Sequence, residues 1–268
     1  MKLALDEPFL SLWRGKDPFV EVERLRGELF RDMKTRRTLR VEIDGRGYFV
    51  KIHRGAGWPE IFKNLLSGKL PVLGAAQEWR AIERLRLAGV PTMTCVAFGE
   101  RGRDPARRHS FIITREIAPS VDLEVFTRDW RTSPPSPELK RALIARTAEM
   151  AGAMHRAGIN HRDCYICHFL LQTDPPPRPD CLSLSLIDLH RAQTRAFTPN
   201  RWRDKDLAAL YFSVLEIGLT RRDTLRFLRI YFSKPLRDIL SEEAALLRRL
   251  ENKAMKLYAR KQRYGDAL

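Results

Sequence analysis

The stretch that most constrains this chain is His161-Arg162-Asp163-Cys164-Tyr165-Ile166-Cys167-His168. Eight residues hold three imidazole- or carboxylate-bearing side chains and two thiols, and Phe169-Leu170-Leu171 follows as a short apolar strand. A second short apolar run, in which Leu182, Leu184 and Leu186 alternate with serines, ends in Ile187-Asp188. Two short strands therefore carry Asp163 and Asp188 toward one end, and any fold must accommodate that pair.

Three chemistries use this spelling. H-R-D followed, after four intervening residues, by a polar ligand and then a strand is the catalytic loop of protein-kinase-like phosphotransferases, with His168 here where that pattern has Asn. Cys164-Tyr165-Ile166-Cys167-His168 also spells the C-x-x-C-H of haem attachment. His161, Cys164, Cys167 and His168 together suit a zinc or redox site. The spacing alone does not choose. Haem attachment requires export, and Met1-Lys2-Leu3-Ala4-Leu5 is too short an apolar run, broken by Asp6, Glu7 and Pro8. Zinc would want a second ligand pair, whereas Cys95 and Cys181 stand alone.

The rest of the chain supports phosphotransfer. Thr38 to Lys51 alternates apolar and polar residues around Asp44-Gly45, which predicts a β-hairpin with Lys51 on its returning strand. A helix from Gly74 to Leu87 should stop at Gly89-Val90-Pro91. Its stripe Glu78, Ala81, Ile82, Leu85 is apolar except for the acid. A buried acid needs a cation, so Glu78 rather than Glu83 is the expected partner of Lys51. Strands are expected over Met93–Phe98 and Phe111–Thr114, and the exit at Glu116-Ile117 reads equally as an ordinary connector or as the place where a two-lobed kinase binds adenine through backbone groups. Val121 to Trp130 reads as helical, Glu138 to Arg156 as a long helix, Leu207 to Gly218 as a buried helix starting near Asp204 or Asp206. Ser241 reads as a helix cap. Asp188, an acid closing an apolar strand, is the expected Mg²⁺ ligand, because that hard cation prefers carboxylate oxygen. The 268 residues, 44% hydrophobic, suffice for two lobes with a real core.

In that order — strand Lys51, helix Glu78, His161-Arg162-Asp163, Ile187-Asp188 — the chain resembles the bacterial lipopolysaccharide core kinases, and most the heptose I kinases, from about Phe19 onward. HRDCYICHFLL is the most specific segment of the likeness. The resemblance implies an α+β, two-lobed protein-kinase-like fold: an N-lobe over 1–117 with an antiparallel sheet and one helix, and a mostly helical C-lobe over 118–268. It implies ATP-dependent phosphorylation of the first inner-core heptose on the cytoplasmic face of the inner membrane. Asp163 would accept or orient the sugar hydroxyl proton, Lys51 and Glu78 would serve the ATP phosphates, Glu116 and Ile117 the base, and Asp188 the Mg²⁺; His168, a nitrogen ligand where Mg²⁺ prefers oxygen, would bind that metal, touch a phosphate or support the loop. No G-x-G-x-x-G loop precedes the hairpin; Lys34-Thr35-Arg36-Arg37-Thr38 stands there instead, and its basic side chains and N–H groups would cover the phosphates.

Lysine and arginine number 49 against 33 acids, a net charge of +16. Such a charge suits an anionic partner: the phosphorylated core glycolipid, an anionic inner-membrane surface, or an acidic accessory protein, with no nucleic acid expected. The competing readings are the same machinery acting on a neighbouring keto-sugar acid or on protein hydroxyls, and a basic module for nucleic acid or membrane with a degenerate kinase fold. Intact Lys51, Asp163 and Asp188 argue against degeneration.

Overall fold

A computed structural model of the chain describes residues 1–33, 35–67, 71 and 73–265. The fold is α+β and divides into two compact units. The first comprises Met1–Glu83, Met93–Ala118 and Leu189–Arg191; the second comprises Arg84–Thr92, Pro119–Asp188 and Ala192–Leu268.

In the first unit, strands β1 (Lys2–Leu5), β2 (Glu28–Met33), β3 (Arg36–Ile43), β4 (Arg46–His53), β5 (Cys95–Arg101) and β6 (His109–Arg115) form one antiparallel sheet in the order β1-β5-β6-β4-β3-β2. The β3–β4 hairpin turns on two residues, Asp44 at φ 50° and Gly45 at φ 71°. Both central residues of that turn class need positive φ, which Asp and Gly adopt at least strain. Arg36, Arg37 and Thr38 are paired residues of β3, not a loop preceding it, because they complete the ladder opposite Lys51, Ile52 and His53. Lys34 lies outside the described residues.

Strand alternation gives the sheet two faces with different work. Tyr48, Val50 and Ile52 point into a buried cluster with Leu39, Val41, Phe111 and Ile113. That cluster is closed by Phe9 and Trp13 of α1 (Phe9–Leu12, with Trp13 as its C-cap) and by Phe19 and Val22 of α2 (Pro18–Arg24). Asp17 starts α2 by accepting from Phe19 N–H at 2.8 Å, with Pro18 at the first helical position. The opposite face presents Lys51, and Trp79 stacks on Phe98 there with centroids 4.6 Å apart. Trp79 belongs to α4 (Ala76–Leu87), whose Ala81, Ile82 and Leu85 are buried; α3 (Trp58–Leu66) precedes it.

The second unit is mostly helical: α5 (Leu123–Phe126), α6 (Pro137–Arg156), α7 (Asn200–Ser213), α8 (Arg221–Phe232), α9 (Leu236–Glu242) and α10 (Ala244–Tyr264). Small ladders accompany them: β7 (Ser120–Asp122), β9 (Phe169–Gln172) and β10 (Leu184–Leu186) in one sheet, β8 (Ile159–Asn160) with β11 (Gln193–Thr194) in another. Ser136 caps α6 through Leu139 N–H at 3.2 Å with Pro137 behind it, so the proline-rich linker ends as a helix start. Helices α6, α7, α8 and α10 line a partly open apolar pocket of about 330 Å³ whose lining includes Leu143, Leu207, Leu210, Leu228, Leu247 and Leu250.

Three expectations need correction here. Residues 121–130 are not one helix: Val121 pairs with Leu171, and Asp122 then caps the four-residue α5 through Val125 N–H. The buried helix runs Asn200–Ser213, beginning before Asp204 because Pro199 fixes its entry. Ser241 is no cap; it sits in the last turn of α9 and donates to the Asp238 carbonyl.

Candidate active site

Lys51 and Glu78 meet. Lys51 Nζ donates to Glu78 Oε1 at 2.7 Å, and the glutamate side chain is only 1% exposed. Register places Lys51 opposite Thr38 on one side and Ile112 on the other, so the amine emerges from the centre of the sheet. Glu78 Oε2 is buried without a hydrogen-bond partner among the described residues. A carboxylate in that setting is tolerable only beside a cation, which holds the lysine at a fixed point.

Glu116, at the strand exit, has both carboxylate oxygens in a bidentate pair with Arg40, each at 2.8 Å. Gly47 makes room for it, since a Cβ at that position would overlap the carboxylate. The Glu116 N–H donates to the Gly47 carbonyl at 2.9 Å. Any base contact from Glu116 must therefore come through its own carbonyl oxygen. Ile117 follows directly.

The H-R-D loop belongs to the second unit and is held from below. Asp206 of α7, 1% exposed, accepts from His161 N–H at 2.6 Å and from Arg162 N–H at 2.9 Å. His155 Nε2 lies 3.3 Å from the same Asp206 carboxylate. His161 is wholly buried, and burial lowers its pKa, so the ring is neutral. Its Nε2 donates to the Ile187 carbonyl at 2.9 Å. Ile187 N–H in turn donates to the His168 carbonyl at 2.9 Å. The residue preceding Asp188 is thus clamped to the H-R-D loop and its continuation at both of its backbone polar groups.

His168 Nδ1 is 2.6 Å from the Asp163 carbonyl oxygen; the carbonyl can only accept, so Nδ1 carries the proton. Nε2 then lies 3.6 Å from Asp188 Oδ2. The rings of His161 and His168 stack, 5.3 Å apart and 19° from parallel. Arg162 and Asp188 have φ of 75° and 58°, conformations that non-glycine residues rarely adopt and that tend to gather at functional sites. A hard carboxylate oxygen and an imidazole nitrogen on one side are a partial ligand set for a divalent cation. Mg²⁺ commonly takes only one or two protein ligands and draws the rest from phosphate and water.

The thiols sit differently. Cys164 is buried and its pKa is raised well above the ordinary thiol value by burial; that of Cys167, a half-buried residue, is pushed up to about 11 by the same cause. Among the described residues no three His, Cys, Asp or Glu side chains are grouped to hold a metal ion.

His168 thus links the Asp163 backbone carbonyl to the Asp188 carboxylate within the second unit, and Lys51, Glu78 and Glu116 lie in the first. Asp206 was not singled out from sequence as a site residue. Its signal was present: an acid beside the buried run Leu207-Ala208-Ala209-Leu210 must be satisfied by something.

Known proteins resemble the chain along most of its length. Residues 20–231 match the family model described as "Lipopolysaccharide kinase (Kdo/WaaP) family". The chain is 69% identical over its 268 residues, the full length of both proteins, to the lipopolysaccharide core heptose(I) kinase WaaP of Pseudomonas aeruginosa PAO1. It is 57% identical over 258 residues to the protein of the same name from Escherichia coli, covering 96% of this chain and 97% of the other. A solved structure described as "WaaP in complex with acyl carrier protein" superposes with a TM-score of 0.87 at 64% identity, covering 96% of this chain and 100% of that one.

Proposed function

The chain belongs to the lipopolysaccharide kinase (Kdo/WaaP) family, and from that premise we infer that it is an ATP-dependent kinase of the first heptose in the lipopolysaccharide inner core. The acceptor follows from full-length relatives at 56–69% identity that carry this one name. The observation that carries the chemistry is the buried 2.7 Å Lys51–Glu78 pair, an amine held where it can meet phosphate oxygens.

Phosphoryl transfer needs positioning and charge stabilisation more than covalent chemistry. We assign Lys51 to the nucleotide phosphates, with Glu78 fixing its position. The Glu116 carbonyl and Ile117 backbone take the adenine edge. Asp163 accepts or orients the proton of the sugar hydroxyl, and His168 holds the Asp163 backbone still. Asp188, with His168 Nε2 beside it, would hold Mg²⁺, which when bound supplies positive charge against the phosphates. Residues 1–117 then serve the nucleotide and 118–268 the acceptor.

No helix among the described residues is long and apolar enough to cross a membrane. A peripheral site of action at the cytoplasmic face of the inner membrane suits a glycolipid acceptor and a chain of net charge +16. The same charge suits an acidic acyl carrier protein as accessory partner. The 330 Å³ apolar pocket offers volume for the acyl chain such a carrier bears.

The test is transfer of label from ATP to dephosphorylated core lipopolysaccharide with Mg²⁺ present. The intact protein should label the heptose, and Asp163→Asn should not. Equal labelling by both would remove Asp163 from its role. Label on the keto-sugar acid or on protein instead would reassign the acceptor.

A further inference from the structure

Helix α3 carries an apolar face that is largely exposed. At 100° per residue, Ile61, Leu65, Trp58, Phe62 and Leu66 fall on one continuous arc, with Lys63 and Glu60 on the other side. Only Ile61, at one edge of that arc, is buried. Trp58 is 46% exposed, Phe62 56%, Leu65 50% and Leu66 89%. Trp58 and Phe62 touch each other, with ring centroids 5.6 Å apart, so the patch is continuous. Scattered surface leucines need no explanation, but four large apolar side chains sharing one helix face do.

The surroundings are basic. The loop after β5 abuts the start of α3: Gly57 N–H donates to the Ala106 carbonyl at 3.0 Å, and the approach at Gly55 leaves no room for a Cβ. That loop presents Arg103 and Arg107, both exposed, with the Asp104 carboxylate 3.8 Å from Arg107 Nε.

We propose that α3, with Arg103 and Arg107, is the element by which this kinase docks on an anionic phospholipid surface. Trp and Phe at a helix surface with cations beside them are the composition of an interfacial helix, whose aromatic rings sit at headgroup depth. A nine-residue helix is too short to anchor a protein alone, and stable peripheral binding takes two signals. Here the second signal is the arginine loop, attracted by the negative surface potential of the bilayer. This inference rests on the reading above that the acceptor is a membrane glycolipid, since docking would raise the local concentration of acceptor at the enzyme.

The experiment is co-sedimentation of the full chain with vesicles of phosphatidylethanolamine containing phosphatidylglycerol, beside vesicles of phosphatidylcholine alone. The intact protein should pellet with the anionic vesicles and release as salt rises. Phe62→Ser with Leu66→Ser should weaken partitioning roughly tenfold or more, because two apolar side chains no longer enter the bilayer. Arg103→Glu with Arg107→Glu should abolish the preference for anionic lipid. All four positions are exposed, so thermal midpoints should hold. Phosphorylation of delipidated core oligosaccharide should be unchanged in the serine variant, whose residues take no part in catalysis.

An intact protein that transfers phosphate yet stays off anionic vesicles overturns the docking proposal alone. Equal vesicle binding by the serine variant also overturns it. Self-association abolished by the serine pair, without vesicle binding, would assign the face to a second copy and overturn the lipid assignment. Vesicle binding through α3 without any transfer would support the docking role and sink the kinase reading instead.

Discussion

His168 Nδ1 donates to the Asp163 carbonyl across 2.6 Å while its Nε2 faces Asp188 Oδ2 at 3.6 Å. One imidazole therefore ties the backbone of the residue assigned to the sugar hydroxyl to the carboxylate assigned to the metal. An asparagine can do the same with its amide N–H and carbonyl oxygen, which explains how either residue type suits this position. His168→Ala loses the link and should lower kcat on the order of ten- to a hundredfold. His168→Asn should keep most activity but lower the ratio of Mn²⁺- to Mg²⁺-supported rates, because an oxygen replaces a nitrogen at the ion. Steady-state kinetics in the two metals checks both; an alanine variant with full activity would reduce His168 to packing.

Asp206, itself buried, supports the loop through its backbone. Its two oxygens accept from His161 and Arg162 N–H groups, and Arg162 holds φ at 75°. Asp206→Asn puts an amide donor against one of those N–H groups. The expected loss is about 1–3 kcal/mol of stability, the usual cost of leaving a buried group unsatisfied. Urea unfolding measures it. The KM for ATP should change little while kcat falls, since the loop rather than the nucleotide unit is disturbed.

What the sequence disclosed follows the distance over which each feature is specified. The hairpin at Asp44-Gly45, the helix carrying Glu78 and the H-R-D loop are each written in contiguous residues, and the buried acid on the α4 stripe pointed to Lys51 across 27 residues because a buried charge demands a partner. Asp206 obeys the same rule but serves backbone N–H groups 44 and 45 residues upstream, which carry no side-chain signature. Residues 121–130 were misread because local pattern does not reveal that Val121 pairs with Leu171; a ladder with a distant strand overrode helical propensity. The strand Lys2–Leu5, seen in the sequence only as a broken apolar run, is likewise fixed by pairing with β5 some 90 residues away.

The Lys51–Glu78 pair separates stability from catalysis. Lys51→Ala leaves a buried carboxylate unpaired and should destabilise the fold by about 3–5 kcal/mol while abolishing transfer. Lys51→Met combined with Glu78→Leu removes both charges and should recover most of that stability with no recovery of activity. A double-mutant cycle by urea unfolding, run beside the ATP assay, checks the pair. Activity in the double variant would show that the amine is dispensable.

Acid should weaken the fold well before the carboxylates titrate. His53, 7% exposed at the end of β4, has its pKa lowered from 6.5 to about 3, first by burial and then by repulsion from Arg36, Lys51 and His190. The folded state thus refuses a proton that the unfolded chain takes up near its ordinary value. Stability from this group is fully present above the unfolded pKa and falls as pH drops below it, by about 2 kcal/mol at pH 5 relative to pH 8. His161 and His109 are shifted in the same direction, chiefly by burial, and add to the slope. Glu23 and Asp223 have lowered pKa values, so their contributions are lost only at lower pH, outside this window. Urea unfolding across that range should show stability rising with pH, and His53→Leu, which cannot take up a proton in either state, should remove its share of the slope. An unchanged slope in the variant would mean that the unfolded chain gains no protons from this position, and the buried neutral imidazole would not be what makes the fold acid-sensitive.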